Sequence, residues 1–298
     1  MKFRSTIAPR WWLLVAASAI TTPVTTFAAV LAQDELSSYT SGSGNLLGQS
    51  AGGVGFAGNW HAVGSTPPLV ANLDVFADES VGSVGTVFDS NAGNAVNFAS
   101  PISIAGSQLF IRYTHTNLDT SRPQASTRLD VNLNSEATGP CCTGLGTRAF
   151  LGAFETDTLK LVLEDPLHTG SGRLSADSGI ASTSGSGAHV VVGLLDEAFG
   201  QMAIWVDPNI SDFYNSQSGA NSADAVSTWG VPPGGLTNFV SYSLVRSRLS
   251  AVKFDDVTFA TSATDVGIAS VPVPNSIGLL GLGALGFLRK RIVNRDTV

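Results

Sequence analysis

Short β-patterned runs separated by clusters of Gly, Ser and Asn constrain the fold of this chain more than any other feature. In the run 108–116, Leu109, Ile111 and Tyr113 share one face, while Arg112 lies on the opposite one. A strand with one buried face and one wet face has this period of two. Runs of the same character lie at 69–76, 127–132, 148–154, 159–164, 189–195, 202–206, 238–245 and 252–259. The pattern therefore predicts a largely β structure.

The segments between these runs are rich in turn residues and are predicted as loops. They cover 41–58, 89–94, 134–147, 168–187 and 215–235. No amphipathic helical stretch of a dozen residues lies between the two termini, which disfavours a parallel α/β architecture. We therefore predict an all-β fold, an antiparallel β-sandwich, formed by one domain over residues 33–266.

The first 32 residues have the three parts of a secretory signal peptide. Basic residues come first, the apolar run 11–20 follows, and small residues come last. Ala32 and Gln33 form the preferred cleavage site, and a cut after Ala28 is a less favoured alternative. We expect the apolar run to form a signal helix and to be removed, because it is too short to span a bilayer comfortably.

The last residues are ordered as a proline-containing motif at 271–275, an uncharged helix at 276–288 and a basic cluster at 289–291. Prolines keep a linker extended, an apolar helix stays in the bilayer, and basic residues stay on the cytoplasmic side. The order predicts a short transmembrane helix that holds the chain in the membrane. The residues assigned to this device are Val271, Pro272, Val273 and Pro274 in the motif, and Arg289, Lys290 and Arg291 in the cluster.

Over about residues 268–298 this end resembles the PEP-CTERM sorting tails of Gram-negative bacteria that make extracellular polysaccharide. Val273 departs from the family pattern, which most often has Glu between the prolines. The resemblance implies processing by an exosortase-type membrane enzyme after transient insertion in the inner membrane. It also implies release or attachment at the cell surface or in the extracellular matrix. The alternative is an ordinary C-terminal membrane anchor.

Charge separates the body of the chain from its ends. Residues 33–274 hold 9 of the 16 Lys and Arg and 22 of the 23 Asp and Glu, a formal charge of −13 against −7 for the whole chain. Such a surface repels phosphate backbones, so nucleic acid is excluded as an expected partner. Neutral or cation-bridged polysaccharides remain candidate partners.

The order of motifs in the body also resembles LamG-like, concanavalin-type jelly rolls. The residues that carry this resemblance are 58–60, 109–113, 149–152, 190–193, 204–208 and 254–257. Phe150, Trp205 and Phe254 are expected to be core residues, because large aromatic side chains are usually buried.

Two motifs in the body match catalytic or nucleotide-binding patterns in sequence but lack the structural context that those patterns need. Residues 48–52 match G-x-S-x-G, but that nucleophile elbow needs a helix directly after it, and glycines follow here. Residues 53–58 match G-x-G-x-x-G outside any βαβ unit, and residues 281–286 match it again in the tail. Both are expected to be glycine-rich segments without chemistry.

The clearest enzymatic alternative is a glycoside hydrolase on the same fold. Some concanavalin-like hydrolases carry Glu-x-Asp-x-x-Glu on one strand, and alternation along that strand brings the carboxylates together. Glu155 and Asp157 begin this pattern, but Lys160 stands where the second catalytic Glu is needed. We therefore predict no catalytic residues and no enzyme, and keep a carbohydrate-active enzyme as the alternative.

No metal site is predicted, because His61, His115, His168 and His189 are scattered singly. The adjacent Cys141 and Cys142 are treated as a loop feature.

Carboxylate-rich turns leave Ca²⁺ open as a ligand, although solvated turns are the more ordinary interpretation. These turns contain Asp207 with Asp212, and Asp255 with Asp256. The predicted function is that of an exported surface or matrix protein with a structural, adhesive or glycan-binding role.

Overall fold

The protein is described from a computed structural model. The described residues are 29–36, 39, 46–63, 74–76, 79–82, 92–117, 127–133, 148–153, 156–164, 173–184, 188–215, 218–229, 239–246 and 252–271. In chain order their strands are β1 (Val30–Asp34), β2 (Phe56–Val63), β3 (Asp74–Phe76), β4 (Glu79–Gly82), β5 (Ala92–Ile102), β6 (Gln108–Asn117), β7 (Thr127–Leu133), β8 (Arg148–Ala153), β9 (Thr158–Glu164), β10 (Leu174–Ala181), β11 (Ala188–Asp196), β12 (Gln201–Val206), β13 (Phe213–Asn215), β14 (Ala225–Thr228), β15 (Phe239–Arg246), β16 (Val252–Ala260) and β17 (Ala269–Val271). One 3₁₀ helix, η1, spans Ala263–Val266.

Two antiparallel sheets contain most of these strands. The eight-stranded sheet has the order β14-β12-β11-β6-β16-β4-β3, with β1 also paired to β16, and the seven-stranded sheet has the order β10-β9-β8-β7-β15-β5-β2. A small third sheet joins β13 and β17 in parallel. Sequence neighbours are often not sheet neighbours, as in the pairing of β6 with β16. The prediction of an all-β antiparallel sandwich is confirmed.

The main core fills the space between the two large sheets. Leu109, Ile111 and Tyr113 project from β6 towards Leu151 of β8, and the Tyr113 hydroxyl donates to the Leu151 carbonyl at 3.1 Å. These are the three residues that alternation in the sequence placed on one face. The sandwich is therefore held by apolar side chains packed between its sheets.

A second, smaller core covers the outer face of the eight-stranded sheet. Trp205 and Phe110 belong to it, and the residues packed on them come from the segment after β12 and from η1. Its members are Phe110, Val192, Leu194, Ala203, Trp205, Tyr214, Ala220, Ala260, Ala263, Val266 and Ile268. The central strands of this sheet are consequently buried on both faces, which explains why β12 is buried at all six residues.

Eight of the nine predicted runs coincide with β6, β7, β8, β9, β11, β12, β15 and β16 to within one residue at each end. For the run 69–76 the structure describes only the last three residues, as β3. The loop assignments at 168–187 and 215–235 were wrong in part, because β10 and β14 lie inside them. Strands β2 and β5 likewise begin inside the loops assigned to 41–58 and 89–94. Gly, Ser and Asn favour turns, but strands accept them when a neighbouring strand supplies the hydrogen bonds, as it does for the edge strands β2, β10 and β14 and for β5 beside the edge.

Candidate functional site

The C-terminal segment leaves the body through the second core. Gly267 ends η1 in the left-handed conformation, with a φ of 84°, and the chain then buries Ile268 and enters β17. In β17, Ala269 lies opposite Phe213 of β13, and its N–H donates to the Asp212 carbonyl at 3.1 Å. The body therefore extends to Val271, the first residue of the predicted sorting motif.

At the other end of the chain, Ala32 and Gln33 of the predicted cleavage site both lie inside β1. Ala32 is fully buried in the main core and lies opposite Phe259. The Gln33 N–H donates to the Val54 carbonyl at 2.9 Å, and the Val54 N–H donates back at 2.8 Å.

The outer face of the seven-stranded sheet carries a band of hydrogen-bonding side chains, which we call the polar face. It consists of Arg128, Asp130, Asn132, Lys160, Asp177, Ser241 and Ser243. These residues alternate with main-core residues on their strands, so they point away from the interior. The register places Ser243 opposite Asp130 and Ser241 opposite Asn132.

The centre of the polar face is a buried ion pair. Arg128 Nε lies 2.7 Å from Asp130 Oδ1, and the two side chains are 1% and 2% exposed. The guanidinium carbon of Arg128 lies 4.5 Å above the centre of the Phe150 ring, which adds a cation–π contact. The Asn132 amide donates to Ser241 Oγ at 3.0 Å. This part of the face is fixed by its own contacts before any ligand is considered.

Towards β10 the polar face opens to solvent. Asp177, whose side chain is 42% exposed, accepts from Lys160 Nζ at 2.9 Å and from Thr158 Oγ1 at 3.0 Å. Burial alone would raise the pKa of Asp177, but hydrogen bonds from the Gly179 N–H, Lys160 and Thr158 outweigh it and hold that pKa below its usual value. Asp177 is therefore an exposed, ionised acceptor in a fixed position.

At one end of the sandwich, three side chains form a chain of hydrogen bonds that the sequence did not predict. Ser184 Oγ lies 3.1 Å from His189 Nε2, and His189 Nδ1 lies 2.7 Å from Asp207 Oδ2. The other Asp207 oxygen accepts from the Val190 N–H at 2.8 Å. Asp207 has a φ of 53°, which an Asp adopts seldom. A serine, a histidine and a carboxylate in this order can activate the serine for acyl transfer.

His115 lies directly opposite His189 in the pairing of β6 with β11. It is fully buried, and neither ring nitrogen has a hydrogen-bond partner among the residues that the structure describes. Burial and the neighbouring His189 lower the pKa of His115 to about 3, although Asp157 acts in the opposite direction. His115 is thus a neutral histidine at the wall of the main core.

The residues of the incomplete glycosidase pattern are used by the fold where they are described. Asp157 lies in the turn before β9 and accepts from Ser182 Oγ at 2.6 Å and Thr183 Oγ1 at 2.7 Å. Lys160 pairs with Asp177. Glu155 lies outside the described residues. Asp157 therefore fastens the turn after β10 rather than standing free on a strand.

The acidic turns are engaged in the same way. Asp212 Oδ2 accepts from the Asn209 N–H at 2.7 Å, and Asp256 Oδ2 accepts from Arg112 Nη1 at 2.7 Å. Nowhere in the described part of the chain do three His, Cys, Asp or Glu side chains gather as a metal site would require. Cys141, Cys142 and His168 lie outside that part.

The glycine-rich motifs have structural roles. Ser50 lies in an isolated bridge with Asn59, and its Oγ lies 3.3 Å from the Asn59 side-chain oxygen. Trp60 closes this turn by accepting from the Gly48 N–H at 2.8 Å. The expectation that residues 48–52 form a loop is met. The motif at 281–286 lies outside the described residues.

The C-terminal segment matches a known family of sorting motifs. Residues 270–292 match the PEP-CTERM protein-sorting motif. The chain carries a PEP-CTERM tail. The matched segment includes all seven residues assigned above to the sorting motif and the basic cluster, of which only the backbone of Val271 is described. The PEP-CTERM tail marks the protein as exported and sorted to the cell envelope or surface, and it implies processing by an exosortase-type system.

Solved structures similar to the body are distant in sequence. The globular domain of T. cruzi calreticulin is 11% identical, with a TM-score of 0.49, and covers 80% of this chain and 90% of its own. An endo-1,3-beta-glucanase from Streptomyces sioyaensis is 10% identical, with a TM-score of 0.48 and coverage of 86% and 99%. A legume lectin-like domain from Entamoeba histolytica is 10% identical, with a TM-score of 0.40 and coverage of 67% and 88%. No curated protein sequence matches the chain.

The predicted signal helix and the membrane helix of the PEP-CTERM tail, residues 276–288, lie outside the described residues. Across the residues that are described, no helix has the length and apolar character needed to cross a membrane.

Proposed function

We propose that this exported protein is a non-enzymatic surface or matrix component whose β-sandwich binds extracellular polysaccharide. The observation that carries the proposal is the polar face. A sugar hydroxyl both donates and accepts hydrogen bonds. The part of the polar face that opens to solvent, at Asp177, offers such a hydroxyl a partner on a rigid sheet, whereas most of the rest of the face is buried. Asp177 is the exposed acceptor there, and the buried Lys160 holds it in place.

The negative charge of the body limits which polysaccharides are expected to bind directly. An acidic surface repels uronic acid or sulfate groups at low salt, whereas neutral chains are unaffected. We therefore expect neutral polysaccharides to bind directly and acidic ones to need a bridging cation.

The test is binding of the exported full chain to neutral and acidic polysaccharides, with Asp177→Asn as the variant. Loss of one partly exposed charged acceptor is expected to weaken binding to a neutral polysaccharide about fivefold, which corresponds to about 1 kcal/mol. Asp256→Asn is the matched control, because Asp256 also accepts from a basic side chain but lies on the eight-stranded sheet. Absence of binding to any polysaccharide, cation or cell envelope would leave only a structural role.

A hydrolase is the second candidate, favoured by the Ser184, His189 and Asp207 arrangement. Ser184 Oγ would attack an ester carbonyl carbon while its proton passes to His189 Nε2. The alcohol would leave with that proton, and water would then release the acid and restore the serine. This candidate stands second because the N–H groups of Ser182 and Ser184 already donate to the Asp157 and Ala181 carbonyls. In this geometry they are not available to stabilise an oxyanion.

Labelling with a fluorophosphonate, which reacts with activated serines, separates the two candidates. An active site would give labelling that Ser184→Ala abolishes and that Ser218→Ala, at an exposed serine, preserves. An unlabelled wild-type chain would reject the hydrolase and leave the polysaccharide-binding proposal standing.

A further inference from the structure

The first strand of the sandwich begins before the predicted signal-peptide cleavage site. β1 starts at Val30, which lies opposite Ala260, and Ala32 lies opposite Phe259. Contact with the body starts one residue earlier, where the Ala29 carbonyl accepts from the Thr261 N–H at 3.1 Å. A cut between Ala32 and Gln33 would remove three of the five residues of this strand.

The body contains a slot for the backbone of β1, and the half of it at Gly55 faces Leu31 and Ala32, which such a cut would remove. Gly53 and Gly55 have φ values of 69° and 83°, which favour glycine. A Cβ on Gly55 would collide with the Leu31 carbonyl oxygen, and a Cβ on Gly53 would collide with the Gln33 carbonyl oxygen. The first half of the G-x-G-x-x-G match is thus explained, because these glycines let the backbone of β1 approach closely.

Hydrogen bonds also hold the end of β1 and the residues after it. Asp34 Oδ1 accepts from the Leu36 N–H at 2.9 Å, and Asp34 Oδ2 accepts from the Tyr39 hydroxyl. Tyr39 in turn accepts from the Gly52 N–H at 2.8 Å. Burial raises the pKa of Asp34, although these hydrogen bonds oppose the rise. The segment from Ala29 to Tyr39 is therefore part of the folded body wherever it is described.

We propose that signal peptidase hydrolyses the bond between Ala28 and Ala29, so that the mature chain begins at Ala29 with β1 intact. Water adds its hydroxyl to the Ala28 carbonyl carbon and its proton to the Ala29 nitrogen. Thr26 and Ala28 supply the small residues needed at the third and first positions before the cut. This shortens the signal peptide from residues 1–32 to residues 1–28.

The two sites differ in where they leave the new charged amino group. At Ala29 it would lie on an exposed residue at the end of the strand. At Gln33 it would replace an N–H that donates to Val54 within the sheet, and it would follow the loss of the buried Ala32. Losing Ala32 would open the main core, and losing Val30 and Leu31 would leave the edge of β16 unpaired. The inference does not depend on what the polar face binds.

The test is to export the full chain from a Gram-negative host and identify the N-terminal peptide of the mature form by mass spectrometry. The expected first residue is Ala29. A mature chain that begins at Gln33, or one that retains residues 1–28, would overturn the proposal. The N-terminal peptide is the right measurement because processing of the PEP-CTERM tail changes the intact mass but not this peptide.

Two variants locate the cleavage site without relying on the stability of the mature protein. Ala28→Leu places a large residue directly before the proposed cut and is expected to raise the amount of unprocessed precursor at least tenfold. Ala32→Leu is the matched control, and in pulse-labelled precursor it should leave the cut before Ala29 unchanged. The reverse result, with Ala32→Leu blocking the cut and Ala28→Leu allowing it, would contradict the proposal.

Discussion

The two cores of this protein are covered by different kinds of structure. The first strand packs into the main core, and the C-terminal segment passes through the second core. Between the sheets, Phe98 contacts Phe259 edge-on with ring centroids 5.0 Å apart, and whole strands enclose the pair on both sides. Outside the eight-stranded sheet, Phe110 contacts Tyr214 at 5.4 Å, and the cover is formed by the short β13, β17 and η1. β1 enters the main core, whereas the PEP-CTERM tail leaves from the second core.

The difference suggests that the second core can open without unfolding the sandwich. Local opening costs least where few residues are buried and the covering strands are short. Polar contacts partly compensate, because the Tyr214 hydroxyl lies 2.7 Å from Asp196 Oδ2 and 2.8 Å from Gln108 Oε1. The two cores should therefore respond differently to comparable substitutions.

The largest effect is expected for Phe259→Ala in the main core. Phe259 is fully buried, and its ring lies against both Phe98 and Tyr242. Its removal leaves a cavity between the sheets, and the free energy of unfolding should fall by about 3 to 5 kcal/mol. Denaturant unfolding of the exported chain measures this, and a loss below about 1 kcal/mol would show that the sheets do not depend on this cluster.

Ile268→Ala should weaken the second core, with a local loss of about 2 to 4 kcal/mol. Ile268 is buried immediately before β17. Hydrogen exchange should rise in β13 and β17, while amides in β8 and β15 keep their protection. Equal loss of protection in both regions would show that the two cores unfold together.

His115→Phe tests whether the buried His115 makes the stability of the protein depend on pH. Burial lowers the folded-state pKa of His115 to about 3 from the ordinary 6.5, so between these values only the unfolded chain binds the proton. Proton binding by the unfolded chain does not oppose folding above about pH 6.5, and it lowers the stability of the folded protein as the pH falls below that value. At about 1.4 kcal/mol per pH unit, the wild type should lose about 2 to 3 kcal/mol more than the variant between pH 6.5 and 4.5. Parallel stability curves would contradict the assignment.

The smallest effect is expected for Arg112→Ala, which lies outside both cores. Arg112 and Asp256 pair at 2.7 Å, but their side chains are 25% and 39% exposed. Exposed pairs contribute at most about 1 kcal/mol, so thermal unfolding should shift only slightly, and less still in high salt. The pairing of β16 with β6 shifts register between Asp255 and Thr258. A loss as large as that from Ile268→Ala would mean that the ion pair at this irregularity holds the sheet together.

Much of the fold was predictable because alternation and turn residues act locally. The run 108–116 placed Tyr113 on the buried face, and Phe150, Trp205 and Phe254 are buried as expected. The strands that prediction missed, such as β10, contain Ser, Gly and Asp and are strands only because a neighbour pairs with them. The hydrogen-bond chain of Ser184, His189 and Asp207 was also missed. Its members lie in a turn, near the start of β11 and directly after β12, and their spacing in the sequence follows no catalytic motif.

The sequence by itself determined the C-terminal sorting tail and the β class of the body, and it predicts an N-terminal signal peptide, because hydrophobic runs, basic clusters and period-two alternation are read within a few residues. Only the tertiary structure decided where these signals meet the folded body. Val30 to Ala32 have the composition of a cleavage site but pair with β16, a strand more than two hundred residues away. Val271 begins a sorting motif but ends a strand on β13. Such long-range pairings set the boundaries of the folded body, and no local pattern records them.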